Sequence, residues 1–383
     1  MELVHQIMPN KKLKIFVIAG EVSGDVLGAR IMRAMGDAKF VGVGGENMTR
    51  AGLKSLFPMG DLAVMGAVEV LAHARTLTKR INQTVDAIIK ERPDIVLTID
   101  SPGFAKSVIS RVRASRAGQK LIADGMRFHH VVAPQVWAWR PRRAKEYARL
   151  FDKLYAFFDF EVPYFTKYGL NTVAVGHPIS DGLVGKRIKP SNEKIIALIP
   201  GSRMSEVRRL MPLYRDVVNV LAQSGYGDYK YIIPTVETTK DYVAQSVRDW
   251  RVPVELVDSS KRYDVYAKTF IAIAASGTVS AELAMLHIPT IVVYKMNPIT
   301  VWLARRVINI RWVSLVNILL NCGVYPELLG GDATVKNVVS EFKKLTSPMA
   351  RRKMIGELLV ADRLWRRAGG LPAKIIADDL RNV

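Results

Sequence analysis

Apolar residues in this chain fall in short unbroken runs, and each run ends in a turn that opens a helix-period segment. In the first half the runs lie at 13–19, 39–43, 94–99, 128–132, 153–157 and 172–175. They are rich in β-branched residues and do not alternate with polar ones, the pattern of parallel strands covered on both faces. Helical patterns separate them at 25–35, 62–91 with a break, 104–117, 141–150 and 161–168. The second half repeats the scheme, with strands near 194–199, 229–233, 253–257, 270–275 and 290–294. Pro212 lies inside the helix after Arg203 and predicts a break or restart there. Alternation of this kind builds right-handed βαβ units. The expectation is an α/β protein with two facing Rossmann-like, doubly wound parallel-sheet domains and a cleft between them. The boundary falls between His177-Pro178 and Pro190, where Gly182, Gly185 and a basic run read as a linker.

Composition narrows the class. With 383 residues the chain can hold two domains of ordinary size. Apolar content of 49% and mean hydropathy of +0.10 are high. Yet no uncharged apolar run reaches the ~18 residues of a membrane-spanning helix. Met1 to Asn10 carries Glu2, His5 and Pro9 without an apolar centre, so no signal peptide is expected. Cys322 is the single cysteine, which excludes intrachain disulfides and cysteine-rich zinc sites. A reducing, cytoplasmic location is expected.

Charge adds more. Lys+Arg 56 against Asp+Glu 35 gives +21, with a pI near 10.0. That balance attracts polyanions: nucleic acid, anionic lipid or phosphorylated substrates. No aromatic RNA-binding strand, zinc-finger spacing or basic helix with heptads is present, so nucleic acid is not the expected partner. Two apolar stretches flanked by cations suit a membrane surface: Leu62 to Ala72, and Val301 to Leu320 with Arg305, Arg306 and Arg311. A buried core helix is the competing reading for each.

Candidate chemistry sits at strand ends. The strand 13–19 runs into Gly20-Glu21-Val22-Ser23-Gly24-Asp25, and the strand 195–199 into Pro200-Gly201-Ser202-Arg203. Glycine turns at helix starts bring backbone N–H groups and a partial positive charge to an anionic ligand. Arg203 adds a guanidinium fork suited to a diphosphate. Ala275-Ser276-Gly277-Thr278 repeats the strand–turn–helix form, and Glu282 one turn later could accept from ribose hydroxyls. Glu21 and Asp25 could bind sugar hydroxyls, although Asp25 could equally cap its own helix. Asp100 ends the run Ile95–Ile99 at the crevice side of the sheet and could act as a general base, or cap the next helix. Asp159-Phe160-Glu161 lacks a histidine partner and reads as a helix cap. His129 and His130, adjacent in a strand, point to opposite faces and cannot share a metal. No G-x-G-x-x-G fingerprint occurs, so oxidoreductase chemistry loses support.

Taken together, these motifs resemble the lipid-A-disaccharide synthase family, glycosyltransferases of the two-domain GT-B type. The likeness runs through Gly20–Asp25; Gly42-Val43-Gly44-Gly45 with Met48 and Gly52; Val64-Met65-Gly66 with Glu69-Val70-Leu71; and Ile99-Asp100-Ser101-Pro102. It continues through Ala133-Pro134-Gln135-Val136-Trp137-Ala138-Trp139-Arg140 and Gly176-His177-Pro178. In the second half it takes in Pro200–Arg203, Ala275–Thr278 with Glu282, and Val313-Ser314-Leu315 with Asn317. The tryptophan pair around one alanine, directly before an arginine, is the most specific element.

The resemblance implies an inverting transferase that joins UDP-2,3-diacylglucosamine to 2,3-diacylglucosamine 1-phosphate. The products are a β-1′,6 disaccharide 1-phosphate and UDP, formed at the cytoplasmic face of the inner membrane by a peripheral enzyme. It implies Asp100 and Arg203 as catalytic residues. Glu21, Ser23, Gly24, Asp25, Gly201, Ser202, Arg203, Ser276, Gly277, Thr278, Glu282 and Asn317 are the substrate-binding candidates, with no metal and no cofactor. It implies residues 1–180 as an acceptor- and membrane-binding domain and 181–363 as a UDP-sugar domain, with a C-terminal helix in 364–383 returning to the first. Three positions depart from the family pattern: Gly103 replaces a second acid, Val316 a proline and Gly330 a glutamine. A UDP-N-acetylglucosamine 2-epimerase, or a GT-B transferase with an undecaprenyl-linked acceptor, is the alternative.

Overall fold

The computed structural model describes residues 12–62, 74–138, 140–183, 193–295, 311–366 and 370–382. Met1–Asn10, Trp139, most of the 62–72 apolar stretch and the first half of the 301–320 stretch lie outside the described residues. The chain divides into two compact units, Met1–Asp181 with Arg367–Val383, and Gly182–Arg366.

The first unit is a six-stranded sheet, β1 Lys14–Ala19, β2 Lys39–Val43, β3 Ile95–Ile99, β4 Arg127–Val131, β5 Lys153–Ala156 and β6 Asn171–Ala174, in the order β2-β1-β3-β4-β5-β6. Every pairing is parallel. The pleat explains the unbroken apolar runs. Phe16 and Ile18 enter one core cluster, whereas Ile15, Val17 and Ala19 enter the cluster on the other face. Helix α1, Val22–Met35, covers that second face, and a helix at Pro372–Arg381 shares it through Ala373, Ile376, Ala377 and Leu380. Arg381 donates to the Ala34 and Met35 carbonyls at 2.6 and 3.1 Å, and so caps the C-terminal end of α1.

The second unit is also parallel throughout, with β7 Ile195–Ile199, β8 Lys230–Thr235, β9 Val254–Asp258, β10 Ile271–Ala275, β11 Thr290–Tyr294 and β12 Glu327–Leu329 in the order β12-β11-β10-β7-β8-β9. The three-residue β12 was not expected from the apolar pattern. This order reads 3-2-1-4-5-6 from the far edge, the nucleotide-binding arrangement, with its reversal between β7 and β10. In the first unit the reversal lies between β1 and β3.

Pro212 does not break its helix, contrary to expectation. Met204–Leu221 runs through it continuously. Pro212 and Arg208 both lie on the exposed side, so the carbonyl deprived of its N–H partner faces water. Leu210, Met211, Leu213 and Tyr214 bury the other side, and the Tyr214 hydroxyl reaches the Ile199 and Ile273 carbonyls at 3.1 and 3.2 Å. Packing outweighs the local preference.

Candidate active site

Both reversals in strand order carry the motifs singled out by sequence. In the first unit the chain leaves β3 through two consecutive left-handed residues, Asp100 at φ 56° and Ser101 at φ 47°. Each costs roughly 1–2 kcal/mol for a residue with a Cβ, so surrounding contacts must hold them. The Asp100 N–H donates to the Val131 carbonyl at 3.0 Å, and the Ser101 N–H to Asp100 Oδ1 at 2.9 Å. Gly20 seats the turn from below: a Cβ there would come within 2.1 Å of Ser101 Oγ. Gly24 lets α1 approach the strand end, since its Cβ would lie 3.2 Å from the Ile99 carbonyl oxygen.

Ser101, not Asp100, occupies the N-cap of the helix Pro102–Ala114. Asp100 is therefore not that helix's cap. Burial pushes its carboxyl above the usual aspartate value, with the Ser101 N–H pulling the other way. Among the described residues no donor reaches its Oδ2. A Cβ at Gly103, where the resemblance led to the expectation of an acid, would meet nothing within 4 Å, and nothing in the structure explains the glycine.

The loop after β1 separates into two kinds of residue. Glu21 is the half-buried N-cap of α1, and Val22 and Ser23 stand exposed on its first turn. Asp25 corrects the expectation. Its carboxylate is buried and accepts from the Gly45, Asn47 and Met48 N–H groups and from Asn47 Nδ2, all at 2.8–3.0 Å. It clamps the start of the short helix Glu46–Arg50 rather than capping its own, and no lone pair faces a sugar hydroxyl.

The run after β4 also folds inward. Trp137 packs edge-on to Phe160 and points its ring N–H at Glu161 Oε1, 3.4 Å away. Glu161 takes the Phe157 and Phe158 N–H groups on its other oxygen, each at 3.1 Å, and burial holds its carboxyl up at about 7. It is a cap. His129 and His130 fall on opposite faces, the first against Tyr155 and the second against Thr98, Tyr147 and Phe151.

In the second unit two loops meet at adjacent strand ends. Gly201 has φ 94°, and a Cβ there would lie 3.5 Å from Ala275 Cβ and 2.7 Å from Glu206 Oε2. Ser202 and Arg203 stand exposed at the start of Met204–Leu221, and Arg203 pairs with Glu206 at 3.0 Å. Gly277, at φ 150°, is the N-cap of the helix Thr278–Met285. Ser276 is half-buried, whereas Gly277 and Thr278 are exposed. The exposed backbone of two helix starts thus shares one edge, as an anion requires.

One turn in, Glu282 Oε1 accepts from the Tyr263 hydroxyl and from Arg262, whose Nη2 and Nε lie 3.3 and 3.4 Å away. Sequence reading missed Arg262 and Tyr263. They follow the end of β9, and only that position could have flagged them.

Asn317 is a second correction. Fully buried, it gives Nδ2 to the Tyr325 carbonyl and Glu327 Oε1 at 2.9 and 2.8 Å, and takes the Tyr325 N–H at 2.9 Å. Glu327 also receives the Val313 and Ser314 N–H groups and the Ser314 hydroxyl. This knot fixes the helix Leu315–Leu320 against β12, and it leaves the Asn317 amide nothing to offer a nucleotide. Val316 is buried beside it, and Gly330 adopts a left-handed φ of 58° that suits glycine.

Residues 15–360 match the family model described as lipid-A-disaccharide synthetase. The lipid-A-disaccharide synthase of Rhodospirillum centenum is 40% identical over 378 residues, spanning 94% of this chain and 92% of that protein. Among solved structures, Staphylococcus aureus MnaA with UDP aligns at a TM-score of 0.61 and 15% identity over 96% of each chain. The glycotransferase of kitacinnamycin aligns at 0.64 and 12% identity over 97% of this chain and 99% of that one. Likeness at that identity establishes the GT-B type of α/β fold, while the sequence match runs through the turns described above. By that match the chain belongs to the lipid-A-disaccharide synthase family of UDP-sugar-dependent glycosyltransferases.

Proposed function

We propose that this protein transfers a 2,3-diacylglucosaminyl group from its UDP derivative to the 6-hydroxyl of 2,3-diacylglucosamine 1-phosphate. Asp100 takes the hydroxyl proton, the oxygen bonds to the anomeric carbon with inversion, and the bond to the diphosphate breaks to release UDP. Asp100 suits the role because it is ionisable, half-shielded and held by a turn that leaves one oxygen unengaged. Glu21 and Ser23, on the adjoining helix start, would receive acceptor hydroxyls, with Gly24 allowing the close approach. Arg203, the Gly201 and Ser202 backbone, and the Ser276–Thr278 helix start would carry the charge that develops on the leaving diphosphate. Glu282 would hold the ribose. The first unit then serves the acceptor and the second the UDP sugar.

A net charge of +21 supports work at an anionic bilayer on the cytoplasmic side. Among the described residues no helix is long and apolar enough to cross one. The observation that carries the reading is the family match over residues 15–360 together with the strained turn at Asp100.

The test is mass spectrometry of products from the two acylated sugars. A disaccharide 1-phosphate and UDP are expected, with no disaccharide when UDP-N-acetylglucosamine replaces the acylated donor. Asp100→Ala should lower kcat on the order of 10²–10⁴-fold, and near-normal turnover would remove Asp100 from the base role. Arg203→Ala should raise the donor KM about tenfold or more, and an unchanged KM would discount that contact.

A further inference from the structure

A carboxylate near a diphosphate-binding helix start poses a physical problem. Glu282 lies four residues beyond Thr278, so roughly 6 Å of helix separates it from the N-terminus where an anion would sit. An uncompensated carboxylate at that distance repels a diphosphate. A glutamate side chain also has three rotors, and an unrestrained one would meet a ligand in many poses.

Two neighbours address both points. Arg262, half-buried, lays its guanidinium over the Tyr263 ring at 4.5 Å and gives both Nε and Nη2 to Glu282 Oε1. Arg262 Nη1 is itself held by the Ser259 carbonyl at 3.0 Å, so the fork is fixed from behind. The Tyr263 hydroxyl donates to the same Oε1. Burial, then this bond to Glu282, pushes the Tyr263 phenol up to about 12, so it stays a donor at every working pH. All of these bonds fall on Oε1, and among the described residues no donor reaches Oε2. The Glu282 side chain is 13% exposed, so its rotors are restrained by packing and its charge is offset through Oε1, while Oε2 is left unengaged by these neighbours.

We infer that Arg262 and Tyr263 are positioning residues that fix Glu282 so that Oε2 accepts from the ribose hydroxyls, and that they thereby set the enzyme's preference for a ribonucleotide donor over its 2′-deoxy counterpart. The inference rests on the reading of Glu282 as the ribose acceptor. Neither residue touches the reacting atoms, so the effect falls on donor recognition rather than on the chemical step.

The experiment measures kcat and KM for the acylated UDP sugar and its 2′-deoxyuridine analogue in the wild type, Tyr263→Phe, Arg262→Lys, Arg262→Gln and Glu282→Gln. The wild type should favour the ribonucleotide roughly tenfold or more in kcat/KM, the worth of one bond to a charged acceptor. Glu282→Gln should bring that preference close to one. Tyr263→Phe, which removes a single oxygen, and Arg262→Gln should each lose a large part of it through the ribonucleotide KM, with kcat within about twofold. Arg262→Lys should restore part of what Arg262→Gln loses.

An unchanged preference in Glu282→Gln would overturn the ribose reading itself. A lost preference in Glu282→Gln with full preference in Tyr263→Phe and Arg262→Gln would overturn only the positioning role. Equal losses toward both donors would reduce the pair to structural support and overturn it as well. Tyr263→Phe keeps the test available if Arg262→Gln does not fold.

Discussion

The base role proposed for Asp100 depends on its backbone. A strand-end aspartate in an ordinary extended conformation would continue the sheet direction; the left-handed step turns it, and the same step makes its N–H complete the ladder to Val131. Burial raises its carboxyl above the ordinary value of 3.8. A base works only when ionised, so kcat/KM should fall about tenfold per pH unit below that raised value. The acid limb of the pH–rate profile is expected to bend above 3.8, and Asp100→Asn should leave a slow residual rate with no such bend. A wild-type limb at or below the ordinary aspartate value would sink the assignment. The sequence marked Asp100 because a carboxylate ending an apolar run is a local pattern. Asp25 and Asn317 sat in equally local patterns and misled. What decides their roles is saturation by partners, and those of Asp25 lie 20 to 23 residues onward, in a helix start that nothing near Asp25 announces.

Elements were legible in proportion to how fully their own residues encode their surroundings. The central strands, buried along every residue, read directly as unbroken β-branched runs. Strand β12, only three half-buried residues long, did not. A C-terminal helix returning to the first half was implied by the family resemblance alone; nothing local to Pro372–Arg381 announces its polar anchor, which lies more than 220 residues away. Lys153 and the Tyr155 hydroxyl both donate to Asp379, each at 2.6 Å, and the Tyr155 oxygen lies 3.1 Å from His129 Nδ1. With the hydroxyl proton committed to Asp379, His129 must carry its proton on Nδ1 and donate to Tyr155. Burial holds the His129 ring down to about 4 from 6.5, so the native state keeps it neutral. Its contribution is therefore full above 6.5 and is lost as pH falls toward 4. Tyr155→Phe removes the central oxygen and leaves a buried donor and an acceptor unpaired. A loss of about 1–3 kcal/mol is expected in urea unfolding at pH 7, with faster amide exchange across residues 372–381. Unchanged exchange in that helix would show that its apolar face alone anchors it.

Across the whole molecule, the chain carries one plan twice: a parallel sheet whose strand order reverses once, with a glycine turn at each reversal. The repeat was visible as Gly20 and Gly201 at the ends of matching runs. The sequence also assigned the acceptor to the first half and the UDP sugar to the second, on the paired turns with Glu282 and on the family resemblance, although both reversals offer helix starts to an anion. Charge separates them. The second unit's loops bring Arg203 and two exposed helix N-termini to one edge, whereas the first unit's reversal brings the Asp100 carboxylate and Glu21. On the function proposed above, a diphosphate would be repelled by the latter pair and held by the former. UDP alone should therefore act on one unit. At about 100 times its Kd it stabilises whatever binds it by about 2.7 kcal/mol, close to a hundredfold in amide exchange where opening is collective. Protection is expected at residues 200–206 and 275–282 and through the sheet that carries them, while amides of β1, β3 and the turn at 99–105 exchange as they do without ligand. Protection centred on Gly20–Gly24 or Asp100, with none after β7 and β10, would reverse the roles given to the two halves and remove Arg203 from the diphosphate.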